Sequence, residues 1–191
     1  MDGLVEWAAT EAAARLRPLG RRYTHVHQVA RRASEIGPVT VGQQTDFLIA
    51  ASYLHDIGYA PELAVTGFHP LDGGRFVRDM GFPELAALVA HHTGGRNEAS
   101  LRGFPDFLDE FPFEDSLPLR VLTYCDLTTG PDGTRTTVGA RVTEICERYG
   151  PDHVVSRGVL IGLPDFRAIE AEIEQMLVVS ESQASSAKGS P

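Results

Sequence analysis

Alanine and leucine recur at helical spacing from residue 4 to residue 16, and strict apolar–polar alternation of the strand type is hard to find anywhere in the chain. The pattern predicts a mainly helical fold, with helices over 3–17, 22–36, 43–55, 69–80, 83–92, 116–127, 138–149 and 165–179. Breaks fall at turn chemistry: RPLG before the second helix, EIGPVTVG before the third, MGFPEL between the fourth and fifth, and YGPDH after Tyr149. Pro83 suits a first helical turn, and Pro164 with Asp165 is expected to open the last helix in the same way. Residues 94–118 are richer in Phe, Pro, Asp and Glu; they read as a site flank or lid with one or two short helical turns. No internal repeat is visible, so the expectation is one domain over 1–179 and an unstructured tail over 180–191, where apolar anchors are missing.

The length of 191 residues allows one domain with a sizeable core. A formal net charge of -9 argues against a general nucleic-acid surface, which would be basic. The longest apolar runs, such as residues 47–54, are too short to span a bilayer, and the first 17 residues carry acidic side chains without a cleavage pattern. A cytoplasmic location and no membrane partner are expected. Cys125 and Cys146 are too few and too far apart for a disulfide framework or a thiolate zinc site.

The chemistry is concentrated in histidine. Of seven histidines, His25, His27, His55, His69, His91 and His92 precede the midpoint and only His153 follows it. The apolar helix carrying Phe47, Leu48, Ala51 and Leu54 ends in adjacent His55 and Asp56, two polar groups that need a strong partner when buried. Singly, each such residue has a structural explanation: His55 or His92 can oppose a helix dipole, and Asp126 can accept backbone hydrogen bonds in the turn after it. Together they fit less well, because successive helices each place His or His-Asp at a terminus or on an apolar face. Such side chains from several helices can build a divalent metal site. His27 lies two positions from His25 and points to another helix face.

The order His25, then His55-Asp56, then Asp126 resembles the HD superfamily of metal-dependent phosphohydrolases, and HDIG at residues 55–58 is a frequent form of its central doublet. HVHQVARRA resembles the family's His-x-x-x-Val-Ala pattern with His25 as ligand. HPLDGGRFV at His69 and VAHHTGGR at residues 89–96 resemble stretches that add two histidines in binuclear members, and among these the bacterial HD-type diadenosine tetraphosphate hydrolases are most similar. That register selects His92, with Arg96 following as the arginine for a phosphate. His91 is left as a neighbour, or as a ligand if the site resembles the trinuclear one of HD-GYP phosphodiesterases. Tyr59 stands where many such sequences have Lys, and the Gly-Tyr-Pro motif is missing after His92, which disfavours cyclic-di-GMP. The acidic pair of guanosine-tetraphosphate hydrolases is also absent soon after Asp56.

The resemblance implies an all-α, HD-domain-like helical bundle with a metal site in its core. It implies ligands from His25, His55, Asp56, His69, His91 or His92, and Asp126, and two divalent transition-metal ions, Fe or Mn ahead of others, with Asp56 bridging. Such ions activate a water and neutralise phosphoryl charge. The expected partner is a small phosphorylated substrate held by Arg96, Arg75, Arg21 or Arg22. Two other readings stay open at this point: an HD-type di-iron oxygenase built on the same ligands, and a non-catalytic metal- or ligand-binding module. Oligomeric state is not legible.

Overall fold

In a computed structural model the backbone is described for residues 3–188 and side chains for residues 3–183. Ten α-helices form there: α1 (Leu4–Leu16), α2 (Arg21–Thr40), α3 (Thr45–Leu54), α4 (His69–Asp79), α5 (Pro83–His91), α6 (Gly95–Arg102), α7 (Phe107–Glu110), α8 (Leu117–Leu127), α9 (Val138–Tyr149) and α10 (Val154–Lys188). No strand forms among the described residues; an isolated antiparallel bridge joins Thr129 to Arg135. No helix among them is long and apolar enough to cross a membrane. The all-α expectation holds.

Local chemistry starts several of these helices where they start. Proline sits in the first turn of α4, α5 and α8, where its missing N–H costs nothing. The Ser116 and Thr137 side chains accept the Leu119 and Ala140 N–H groups and so cap α8 and α9.

Helix α3 is the centre of the bundle. Leu48, Ala50, Ala51, Ser52 and Leu54 are buried, and α1, α2, α5 and α8 pack around it. Burying Leu48 and Leu54 contributes about 2 kcal/mol each by transfer of apolar surface. The carboxyl end of this helix therefore delivers His55 and Asp56 into the interior. A second, smaller apolar cluster joins Leu127 of α8 to Val138, Val142 and Ile145 of α9 and Val159 and Phe166 of α10.

Two helices differ from the sequence expectation, one of them at both ends. Helix α2 does not stop at Ile36 but passes through Gly37 and Pro38 to Thr40. Pro38 and Ser34, whose carbonyl loses its helical N–H partner, both face solvent, and the Thr40 hydroxyl donates to the Ile36 carbonyl at 2.9 Å. Helix α10 begins at Val154, not at Asp165, because Pro164 is accommodated on an exposed face; the carbonyl it leaves unpaired belongs to Leu160, which is 46% exposed. The same helix continues through residues 180–188, where the sequence predicted no structure: nothing in that stretch breaks a helix before Gly189. Residues 189–191 lie outside the described ones.

Candidate metal centre

Five helices converge on one buried point. His25 comes from α2, His55 and Asp56 from the end of α3, His69 from the first position of α4, His92 from the end of α5, and Asp126 from α8. His25, His55, Asp56, His92 and Asp126 are buried, and His69 is half-buried.

Three of the four rings are held by the same device. The Nδ1–H of His25 donates to the Gly130 carbonyl at 3.1 Å, that of His55 to Ser52 at 2.8 Å, and that of His92 to Val89 at 2.6 Å. An Nδ1 that donates leaves Nε2 with a lone pair, and all three Nε2 atoms face inward. They meet acceptors. His25 Nε2 lies 2.9 Å from Asp126 Oδ1, His55 Nε2 lies 3.4 Å from Asp56 Oδ2, and His92 Nε2 lies 3.3 Å from His69 Nε2. Lone pairs brought this close repel unless a proton or a metal cation lies among them. His55 Nε2 is buried without a hydrogen-bond partner among the described residues.

The ligand atoms form two groups, His25 with His55 and Asp56, and Asp56 with His69 and His92, each within 4.8 Å. Asp56 belongs to both. Its Oδ2 faces His55, whereas its Oδ1 is 3.3 Å from His69 Nε2 and 3.9 Å from His92 Nε2. Asp126 borders the first group, 3.8 Å from His55 Nε2 through Oδ1, and its Oδ2 accepts from the Thr93 hydroxyl. Thr93 holds φ at 47°, in the left-handed region that a β-branched residue rarely enters, a strain of about 1–3 kcal/mol tolerated where surrounding contacts fix it.

Burial and charge pull against each other here. Burial would neutralise Asp56, yet Arg22 and His55 hold its carboxyl well below the usual range. Burial likewise opposes charge on His55, but Asp56 and Asp126 push it up to about 9. Burial first, then the neighbouring His55 and His69, push His92 down to about 3. Asp126 is lowered because the His25 hydrogen bond and nearby imidazoles outweigh its desolvation. Within one cluster, the surroundings thus push one imidazole up and another down.

Arg22 lies directly over this cluster. Its Nη1 donates to Asp56 Oδ2 at 2.5 Å, and its guanidinium covers the Tyr59 ring at 3.9 Å; that ring stacks on His69 at 4.0 Å. The cleft above the cluster is walled on the far side by Arg141, Ile145, Arg148 and Tyr149 of α9.

The structure separates some residues that the sequence grouped. His91 turns away from the cluster: its Nε2–H donates to the Phe111 carbonyl at 2.7 Å, and its ring packs against Phe107 and Phe113. Of the two adjacent histidines, His92 is the one whose Nε2 lies among the other donor atoms. Arg96 does not reach the cleft either; it lies over the Phe113 ring and 3.7 Å from Asp165. Arg75 is tied to Glu110 by two hydrogen bonds of 2.8 and 2.7 Å. Of the loop after α8, the Thr128 and Thr129 hydroxyls return to backbone carbonyls of α8, and the Gly130 carbonyl is what touches the site. The sequence reading passed over Arg141 and Arg148, although their spacing of seven residues on a predicted helix marks one shared face.

Helices built around a buried, shared-carboxylate His/Asp cluster define a class of metal-binding domain, and these two groups can hold divalent ions. The chain belongs to the HD domain family, whose model matches residues 22–152; its members are mostly metal-dependent hydrolases. No curated protein and no solved structure matches the chain significantly.

Proposed function

We propose that this protein is a metal-dependent phosphohydrolase acting on a small phosphorylated metabolite, with nucleotides the first class to screen. The observation that carries the reading is the pair of donor groups sharing Asp56, set beneath an arginine at the floor of an open cleft. His25, His55 and Asp56, with Asp126 beside them, would hold one ion; Asp56, His69 and His92 would hold the other. Imidazole and carboxylate donors without thiolate suit Fe or Mn. Such ions, when bound, supply an activated water near neutral pH and offset the charge of a phosphoryl group.

The chain's own side chains have separate tasks. Arg22 fixes the Asp56 carboxylate and puts positive charge where a phosphoryl oxygen would lie. Tyr59 holds Arg22 and His69 in one stack and excludes water on that side. Thr93 and His25 fix Asp126 from its two oxygens. Arg96, the arginine expected from the motif, is replaced in this scheme by Arg22.

The test is phosphate release from a panel of nucleotides and simple esters by protein loaded with Mn or Fe. Release that chelation abolishes is the expected result. Oxygen uptake by the reduced iron form, with no phosphate released from any substrate, would replace the hydrolase reading with an oxygenase.

A further inference from the structure

A chain with 17 Lys and Arg against 26 Asp and Glu places four arginines around one groove. Arg21 and Arg22 of α2 face Arg141 and Arg148 of α9 across a space of about 380 Å³, and Glu144 is the acidic residue lining it. The groove is continuous with the metal cleft, because Arg22, Tyr59, Arg141 and Arg148 line both. Arg141 is 6% exposed, and its Nε has no hydrogen-bond partner among the described residues. One carboxylate oxygen, Glu144 Oε2, accepts from Arg141 Nη1 and also from Arg148 Nη2, the latter at 2.9 Å. A single anionic oxygen between two guanidinium groups is the arrangement that a phosphoryl oxygen would make. The Glu144 side chain is 38% exposed, and ion pairs at that exposure are weak and readily exchanged.

We infer that Arg141 and Arg148 form a second anion subsite beside the metal cluster, which takes the second phosphoryl group of a substrate carrying at least two. Glu144 occupies the two guanidinium groups until that phosphoryl group displaces it. The inference rests on the hydrolase reading for the phosphoryl group at the metal cluster. It adds that a monophosphate fills only part of the site.

The experiment compares AMP with α,β-methylene-ADP, which share a nucleoside and differ by one phosphoryl group, by titration calorimetry on Mn-loaded protein in excess Mn. Wild type is expected to favour the longer analogue by about tenfold, the gain of a charge-assisted contact to the Arg141 and Arg148 guanidinium groups acting as a pair. Arg148→Ala, at a half-exposed position that does not threaten the fold, should bring the ratio close to one, and Arg148→Lys should restore part of it. Glu144→Gln should raise the ratio, because the competing carboxylate is gone; a merely structural role for Glu144 would not move it upward. Equal affinities in wild type, or a ratio that Arg148→Ala leaves intact, overturn the subsite. The hydrolase reading fails on another readout. Absence of phosphate release with the analogue preference intact would remove the hydrolase and keep the subsite, whereas release from monophosphates without that preference would do the reverse.

Discussion

At the scale of single residues, the second helix provides a sharp contrast. His25 and His27 stand two positions apart, yet His25 is buried with its Nε2 toward Asp126, while His27 is exposed near Tyr23 and Tyr53. His25→Ala is expected to lose bound metal and His27→Ala to retain it, read by elemental analysis of the purified variants. Arg22→Ala should destabilise the metal-free protein by about 2 kcal/mol, because the buried Asp56 carboxylate loses its counter-ion. Chemical denaturation checks it, and added Mn should recover most of the loss. The His55 shift sets a pH dependence. In metal-free protein its value rises from 6.5 to about 9, so its contribution to stability is complete below 6.5 and is lost as pH climbs through 9. A metal must displace that proton, so affinity should increase with pH up to about 9 and binding should release a proton, measurable by calorimetry in buffers of different ionisation enthalpy. Helical periodicity put His25 and His27 on different faces, but it was the resemblance to the His-x-x-x-Val-Ala and HDIG patterns that singled out His25 and the His55-Asp56 doublet. The choice between His91 and His92 was not legible, since the backbone leaves the helix at His92, with ψ of 144°, and only that turn decides which ring points inward.

At the scale of elements, the position of His69 depends on one close backbone approach. The turn Ile57–Tyr59 after Asp56 lies against the start of α4, and a Cβ on Gly58 would fall 2.6 Å from Gly73 N and nearer still to the His69 carbonyl oxygen. Gly58→Ala must therefore push α4 away, at a cost of about 3 kcal/mol by overpacking. Thermal denaturation should show the loss, and metal content should fall with it, because His69 moves relative to Asp56. The same scale explains why Arg96 was misplaced by motif matching. Thr93 and Gly94 both take positive φ, 47° and 75°, and redirect the chain before α6 begins, so sequence proximity to His92 does not become proximity to the cluster. Prolines misled the helix boundaries for a related reason. Proline marks a break when the carbonyl it orphans is buried, and at Pro38 and Pro164 that carbonyl belongs to an exposed residue, Ser34 or Leu160. Exposure is a tertiary property, and a single sequence does not reveal it.

For the molecule as a whole, the candidate ligand groups draw on α2, α3, α4 and α5, with Asp126 of α8 beside them, so a bound ion would cross-link helices that are far apart in sequence. Metal binding to the folded state should therefore stabilise the entire bundle, by about 2.7 kcal/mol when free metal is 100-fold above its dissociation constant. A melting temperature that rises with Mn concentration and falls on chelation is the expected behaviour. The all-helical architecture was readable from periodicity, whereas the groove of arginines between α2 and α9 was not, because nothing in the local pattern says that two helices so far apart in sequence face each other. In the proposed site Asp56 serves two metal ions at once. The most direct test is the metal content of protein purified without chelator, wild type beside Asp56→Ala. About two equivalents of transition metal in wild type and almost none in the variant, with helical circular dichroism retained, is the expected result. Wild-type protein that carries no metal and takes up neither Mn nor Fe, or a variant that keeps its full complement, would contradict it.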